Sequence, residues 1–200
     1  MNKTISIAPV LLPIFILFWL ALAINPVYRE VWLVENIILI ICVTYLFLSY
    51  SKHKFSNTAY WLIFIFCILQ TIGAHYTYAE VPLGFWIADL FDIQRNHYDR
   101  LVHFFFGFLV ILPFKEVLSR SVTFSSYKVE TFVLVMLFIG IGGSYEILES
   151  WYAIIYESNS ASDMLLGSQG DIWDAEKDIF LSGLGAWLYL FLSSNKTNNQ

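Results

Sequence analysis

Ten of the 20 acidic and histidine residues of this sequence fall in four groups that lie beside or inside long apolar runs. These groups are His75 with Glu80, then His97, Asp99 and His103, then Glu146 with Glu149, and finally Asp171, Asp174 and Asp178. A charged side chain in or against hydrocarbon costs at least about 2 to 3 kcal/mol, so it marks a candidate functional site. We therefore ask what chemistry each group could perform.

Asp99 and His103 lie four residues apart, so on a helix they share one face. The carboxylate can hold the imidazole in one tautomer while the other ring nitrogen points into the bundle, which suits proton transfer or metal binding. The alternative is an ordinary helix start, with Asn96 as cap and Asp99 in the first turn. That alternative leaves His103 unexplained, because it lies a full turn deeper.

Glu146 and Glu149 are also neighbours on one helical face. Two carboxylates this close repel each other unless a cation, a proton or an arginine lies between them. Glu146 is predicted to be functional because it lies a turn deeper in the apolar run, whereas solvation at the membrane boundary explains Glu149 equally well.

A polar stripe follows Gly170, in which Asp171, Asp174, Asp178 and Ser182 recur at intervals of three or four residues. Helix capping explains Asp171 and part of Asp174, but Asp178 and Ser182 lie too far into the apolar run. The sequence predicts His103, Asp99, Glu146 and Asp178 as catalytic residues. A divalent metal ion could be held by Asp171, Asp174, Asp178 and Glu146. The predicted substrate-binding residues are His75, Glu80, His97, Arg100, Glu149 and Ser182.

The composition sets the class of protein that must position these residues. The chain is 58% hydrophobic and 14% charged, with a mean hydropathy of +0.64, which indicates an integral membrane protein. Six apolar runs, at 5–23, 31–50, 59–74, 101–117, 131–145 and 179–192, approach the roughly 20 residues of a spanning helix. We expect one all-α membrane domain over 1–200 with about six spans and a polar, disordered tail over 193–200. The net charge of −5 and the lack of a basic patch disfavour nucleic acid as a partner.

Two connections carry further signals. Between the third and fourth spans, Pro82 is placed to start a short helix whose one side carries Leu83, Trp86, Ile87, Leu90 and Phe91. This pattern suits an interfacial helix under the lipid head groups, although a packed loop over the mouth of the bundle is an alternative. The last loop, 157–170, is rich in Ser, Asn and Gly and could form a flexible lid.

The basic residues predict the orientation. If every run spans, seven of the 11 lie on one side, namely Lys3, Lys52, Lys54, Lys115, Arg120, Lys128 and Lys196. The positive-inside rule then places both termini in the cytoplasm and the acidic groups at the extracytoplasmic face, which in a Gram-negative cell would be the periplasmic face. The first run, with Lys3 and the triplet 21–23, also resembles a signal peptide, but its length of about 19 residues favours an uncleaved helix.

The whole chain resembles the YjdF family of bacterial inner-membrane proteins, through the stretch 75–82, the Asp99-Arg100-x-x-His103-Phe104 helix start, the Glu146-x-x-Glu149 pair and the segment 170–186. The last three are more distantly similar to the VanZ-like pattern, with Arg100 in place of a Lys, Glu149 of a Gln and Ser182 of an Asn. The VanZ-like resemblance implies a link to glycopeptide resistance at the cell surface. Neither resemblance implies a particular reaction.

Three functions are compatible with these residues. The first is an enzyme at the outer leaflet that acts on a membrane lipid or a lipid-linked envelope precursor, with carboxylates on a divalent metal and His103 as acid or base. The second is a proton-coupled carrier or flippase with a relay through Asp178, Glu146 and His103. The third is a structural membrane protein whose polar residues hold helices together. A carrier also needs polar residues in the cytoplasmic half, and the sequence has almost none there.

The distribution of basic residues predicts the result of a topology experiment. Reporter fusions after Lys54, Lys128 and Lys196 should report the cytoplasm, and fusions within 158–169 should report the extracytoplasmic side. A cytoplasmic signal from that last loop would contradict the predicted face of the acidic groups.

Overall fold

A computed structural model of the chain describes residues 5–155 and 168–197, and their regular structure is all α-helical. The helices are α1 (Ala8–Leu22), α2 (Arg29–Ser49), α3 (Asn57–Tyr76), α4 (Pro82–Phe91), α5 (Tyr98–Ser121), α6 (Tyr127–Ile155) and α7 (Asp174–Thr197). Most of the predicted lid lies outside the described residues. The predicted polar tail begins within α7, and its last three residues are outside the described part.

Helices α2, α3, α5 and α6 are long and apolar enough to cross a membrane. Helix α1 is apolar but has 15 residues, and α7 carries four charged residues before its apolar stretch. The predicted multi-pass helical membrane protein is therefore confirmed. Four of the six predicted spans meet the length and hydropathy of a full crossing, and the apolar stretches of α1 and α7 are shorter.

The helices pack in a fixed order around α5. Helix α7 packs most extensively against α5, and α6 also packs against α7. Helix α3 lies against α5, and α1 and α2 lie against α3. Ion pairs join the starts of α5 and α7 at one end of the bundle, which we call the polar end. At the opposite end, the Tyr127 hydroxyl of α6 donates a hydrogen bond to the Leu190 carbonyl of α7 at 2.5 Å.

Glycines allow α5 and α7 to touch along their backbones. A Cβ atom at Gly107 of α5 would collide with the carbonyl oxygen of Ser182, and a Cβ atom at Gly185 of α7 would collide with that of Phe104. Small residues at such crossings let helices in a membrane approach closely and gain van der Waals contact. The crossing brings the stripe of α7 against the face of α5 that carries His103.

The half of the bundle away from the polar end is filled by an apolar core. Ile111, Leu134, Phe138, Ala186 and Leu190 are fully buried there, and Phe106, Val110, Phe114 and Leu118 pack around them. These residues come from α5, α6 and α7, the same helices that carry the predicted catalytic residues. The polar stripe of α7 therefore ends against a hydrocarbon-like layer.

Helix α4 confirms the short helix predicted to begin at Pro82. Leu83, Trp86, Leu90 and Phe91 are exposed as expected, Phe85 joins them, and Ile87 is half-buried. The buried Asn96 holds α4 from below, because its Nδ2 donates to the Val81 carbonyl at 2.9 Å and Gly84 leaves room for its side chain. An apolar face exposed beside a membrane bundle is typical of an interfacial helix.

The α5–α7 contact predicts the effect of adding one methyl group. Gly107→Ala and Gly185→Ala should each lower the free energy of unfolding by about 1 to 3 kcal/mol, because the obstacle is backbone that cannot rotate away. Gly140→Ala is the matched control, since a Cβ atom there meets no atom within 4 Å. Thermal unfolding in detergent measures the difference, and equal stability of the three variants would contradict the close crossing.

Candidate functional site

The start of α5 is held in place by Asn96. The Asn96 Oδ1 accepts a hydrogen bond from the Tyr98 N–H at 3.1 Å. Gln169, which precedes α7, exchanges two further hydrogen bonds with the Asn96 backbone at 3.0 and 2.9 Å. These bonds orient the first turn of α5, so that Asp99 and His103 face α7 and α6.

His103 lies at the centre of the candidate site and is only 8% exposed. Its Nε2 atom is 3.6 Å from Asp99 Oδ1 and 3.3 Å from Glu146 Oε1. Its Nδ1 atom is 3.4 Å from the Ser182 Oγ. Residues from α5, α6 and α7 that are far apart in sequence therefore surround one imidazole ring.

The hydrogen bonds of Ser182 determine the role of each ring nitrogen. The Ser182 hydroxyl donates its single proton to the Asp178 carbonyl at 3.0 Å, so towards His103 it can only accept. The Nδ1 atom must then carry a proton, and in the neutral ring Nε2 presents a lone pair. That lone pair faces the carboxylates of Asp99 and Glu146, so the space between these atoms requires a proton or another cation.

Asp178 completes a set of metal donors with Asp99 and His103. One donor atom from each of these three residues lies within 4.8 Å of the other two, so the three could hold one ion. Asp178 is 1% exposed, and its Oδ1 atom has no hydrogen-bond partner among the described residues. A buried carboxylate oxygen without a partner is costly, and a proton or another cation would remove that cost.

An ion-pair layer covers this cluster at the polar end. Asp174 accepts two bonds from Arg95 at 2.6 Å each and one from Arg100 at 3.0 Å. Asp171 pairs with Arg100 and, at 2.5 Å, with Lys177. The layer joins α7 and the turn before it to the start of α5, through an arginine on each side of Asn96.

This layer shows what three of the predicted site residues contact. Asp171 and Asp174, predicted to bind metal, pair with arginine and lysine, and Arg100, predicted to bind substrate, bridges the two aspartates. The helical stripe alone could not show this, because the neutralising arginines come from another part of the chain. Of the four predicted metal ligands, only Asp178 belongs to the set of donors with Asp99 and His103. Glu146 lies next to this set, because it contacts His103.

Two groups outside the membrane-spanning helices have shifted pKa values. Hydrogen bonds from Lys177 and Arg100 lower the pKa of Asp171 well below its usual range. Burial, with smaller contributions from Arg100 and Arg95, lowers the pKa of His97. At neutral pH Asp171 is therefore ionised, and His97 is an uncharged partner whose Nδ1 lies 3.3 Å from Arg100 Nη1.

Glu35 of α2 belongs to the polar end and was missed by the sequence analysis. It is 3% exposed, and its Oε2 atom accepts hydrogen bonds from the hydroxyls of Tyr145 at 2.5 Å and Tyr78 at 3.2 Å. The Tyr145 ring in turn lies edge-on to His103 at 6.0 Å. The sequence could have indicated Glu35, because it is an acidic residue inside an apolar run. That criterion, a charged residue within a membrane-spanning segment, also selected Glu146.

The remaining predicted residues lie around the cluster rather than in it. His75 ties α3 to α1, with its Nδ1 atom 2.7 Å from the Leu22 carbonyl oxygen. Glu80 and Glu149 are half-buried, and among the described residues no side-chain hydrogen bond or ion pair joins either to His103. The structure thus brings together Asp99, His103, Glu146, Asp178 and Ser182. His75 lies apart from them, in contact with the Leu22 carbonyl of α1.

Comparison with known proteins agrees with this architecture. The family described as predicted membrane protein (DUF2238) matches residues 7–198. The chain belongs to this family. It is 36% identical to the inner membrane protein YjdF of Escherichia coli (strain K12) over 155 residues, which is 78% of this chain and 73% of that protein. No solved structure matches. The resemblance to the YjdF family is confirmed, and the VanZ-like resemblance of three segments stays a prediction.

The ion-pair layer predicts a large stability effect at Asp174. Asp174→Asn should lower the free energy of unfolding by about 3 kcal/mol or more, because Arg95 loses the carboxylate of Asp174 and Arg100 keeps only that of Asp171 in a largely buried place. Glu176→Gln in the same helical turn is the control, since Glu176 is exposed and has no ion pair among the described residues. Chemical or thermal unfolding in detergent compares them, and equal stability would mean that the layer contributes nothing.

Proposed function

We propose that this protein is a metal-dependent enzyme of the bacterial inner membrane, which acts at the extracytoplasmic face on a lipid or a lipid-linked envelope precursor. The observation that carries the proposal is the group of donor atoms around His103. One donor atom each from His103, Asp99 and Asp178 lies within 4.8 Å of the other two, and Asp178 Oδ1 has no hydrogen-bond partner among the described residues. No arginine or lysine among the described residues pairs with either of these carboxylates.

In this proposal Asp99, His103 and Asp178 are the metal ligands. Three protein ligands that leave a position for water or substrate are typical of catalytic rather than structural zinc sites. Carboxylate and imidazole donors suit Zn²⁺ and Mn²⁺. Such an ion, when bound, polarises a substrate oxygen and lowers the pKa of bound water.

Glu146 is then the residue that transfers protons. Its Oε1 lies 3.3 Å from His103 Nε2, and its side chain is 13% exposed, so it can exchange a proton with the reacting group. His103 changes from the acid or base expected from sequence to a ligand held by Ser182 through Nδ1. That arrangement follows the general pattern in which the second ring nitrogen of a metal-bound histidine is fixed by a hydrogen bond.

The proposed substrate is amphiphilic because the site adjoins the interfacial helix. Asn96 donates a hydrogen bond to the carbonyl of Val81, the residue before α4. It also accepts one from the N–H of Tyr98, the first residue of α5. A lipid that lies along the exposed aromatic face of α4 could therefore present its head group to the metal ligands. The same route suits a lipid-linked precursor.

The apolar core disfavours the carrier hypothesis. A proton or solute path would need polar groups beyond Ser182 through the centre of the inner half, and the core that fills it consists of apolar residues such as Ile111, Leu134 and Phe138. The structural hypothesis predicts different behaviour on mutation, and the following experiment separates it from catalysis.

Metal binding tests the proposal directly. The purified protein should bind about one Zn²⁺ or Mn²⁺ per chain, as measured by plasma mass spectrometry and calorimetry after removal of metal and titration. Asp178→Asn should abolish this binding while the thermal midpoint of the metal-free protein stays equal or rises, because the change removes an uncompensated buried charge. Glu146→Gln should still bind the metal. It should no longer convert any lipid of an added lipid extract, as measured by lipidomics.

Glu176→Gln serves as the control in both measurements, since it removes a carboxylate from the same helix outside the donor set. A parent protein that binds no metal, together with a large stability loss in Asp178→Asn, would support the structural role and reject the enzyme.

A further inference from the structure

A second feature lies at the opposite end of the bundle, where α6 and α7 leave a groove of about 380 Å³ between them. This volume lies within the usual range of small-molecule sites, roughly 300 to 1,000 Å³. Its walls are Tyr127, Lys128, Thr131, Phe132, Val135, Trp187, Phe191 and Ser194. The groove is open to the surroundings, and none of its residues belongs to the candidate site.

The lining of the groove changes from apolar to charged along its length. Val135 and Trp187 lie towards the middle of the membrane, where the indole stacks on Phe191 with ring centroids 5.4 Å apart. Thr131 follows one turn closer to the helix start, and Lys128 a further turn, at the rim. The apolar, hydroxyl and cationic groups follow in the same order as the acyl chain, ester and phosphate of a phospholipid. Each group of the groove is complementary to the part of the lipid that would lie beside it.

Two polar groups of the groove lack partners within the protein. The Thr131 Oγ1 atom is buried and has no hydrogen-bond partner among the described residues. Lys128 has no carboxylate partner there either, whereas the nearby Lys115 pairs with Glu130 at 3.2 Å. A hydroxyl without a partner in hydrocarbon is costly, and a ligand with an acceptor atom at this depth would remove the cost.

We propose that the groove binds one anionic phospholipid of the leaflet at this end, which is predicted to be cytoplasmic. An acyl chain lies between Val135 and the Trp187–Phe191 stack, an ester carbonyl accepts the Thr131 hydroxyl, and the phosphate pairs with Lys128. This binding is independent of the metal site, because the apolar core separates the two.

Native mass spectrometry of the purified protein, titrated with phosphatidylglycerol or phosphatidylcholine, tests the proposal. The first phosphatidylglycerol molecule should bind more tightly than the first phosphatidylcholine. Lys128→Gln should weaken phosphatidylglycerol about fivefold, the usual effect of one lysine near a bilayer surface, and leave phosphatidylcholine unchanged. Thr131→Val should weaken both lipids about threefold, because both carry the ester.

Lys52→Gln is the matched control, since Lys52 is exposed at the same end but outside the groove. Val135→Trp, which fills the groove, should weaken both lipids, and its thermal midpoint shows whether it remains folded. Equal affinity of the parent for the two lipids, or equal behaviour of Lys128→Gln and Lys52→Gln, would reduce the groove to ordinary lipid contact and overturn the proposal. Metal binding should be the same in all of these variants.

Discussion

The backbone contact between α5 and α7 sets the position of every side chain at the polar end. Because Gly107 and Gly185 remove the Cβ atoms at the crossing, the Ser182 hydroxyl comes within 3.4 Å of the His103 ring. A wider crossing would leave His103 and Asp178 facing separate cavities. Metal ligands from two helices can converge only where the helix axes are held at a fixed and short distance.

Between this crossing and the polar end, the carboxylates form two layers. They differ in whether basic side chains pair with them. In the outer layer, Asp171 and Asp174 face two arginines and a lysine, so its charges are neutralised within the protein. In the inner layer, Asp99 and Asp178 lack any such partner among the described residues.

Much of this arrangement could be predicted from the sequence, and the limits have physical causes. Hydropathy gave the helices, and Pro82 gave the start of α4, because both depend on local properties of the chain. The grouping of His103 with Glu146 and Asp178 followed from depth in the membrane. The pairing of Asp174 with Arg95 did not, since it joins residues that are 79 positions apart. Glu35 was not placed at the site because the partners that tie it there, Tyr145 and Tyr78, lie 110 and 43 positions away in the sequence.

The apolar core beneath the proposed metal site limits the routes by which an ion could reach it. With Phe138 and Leu190 fully buried below the cluster, an ion has no polar route to it through the described part of the inner half. Loading and loss would then occur from one side only. The occupancy of the proposed site would follow the free metal concentration of the compartment that the polar end faces.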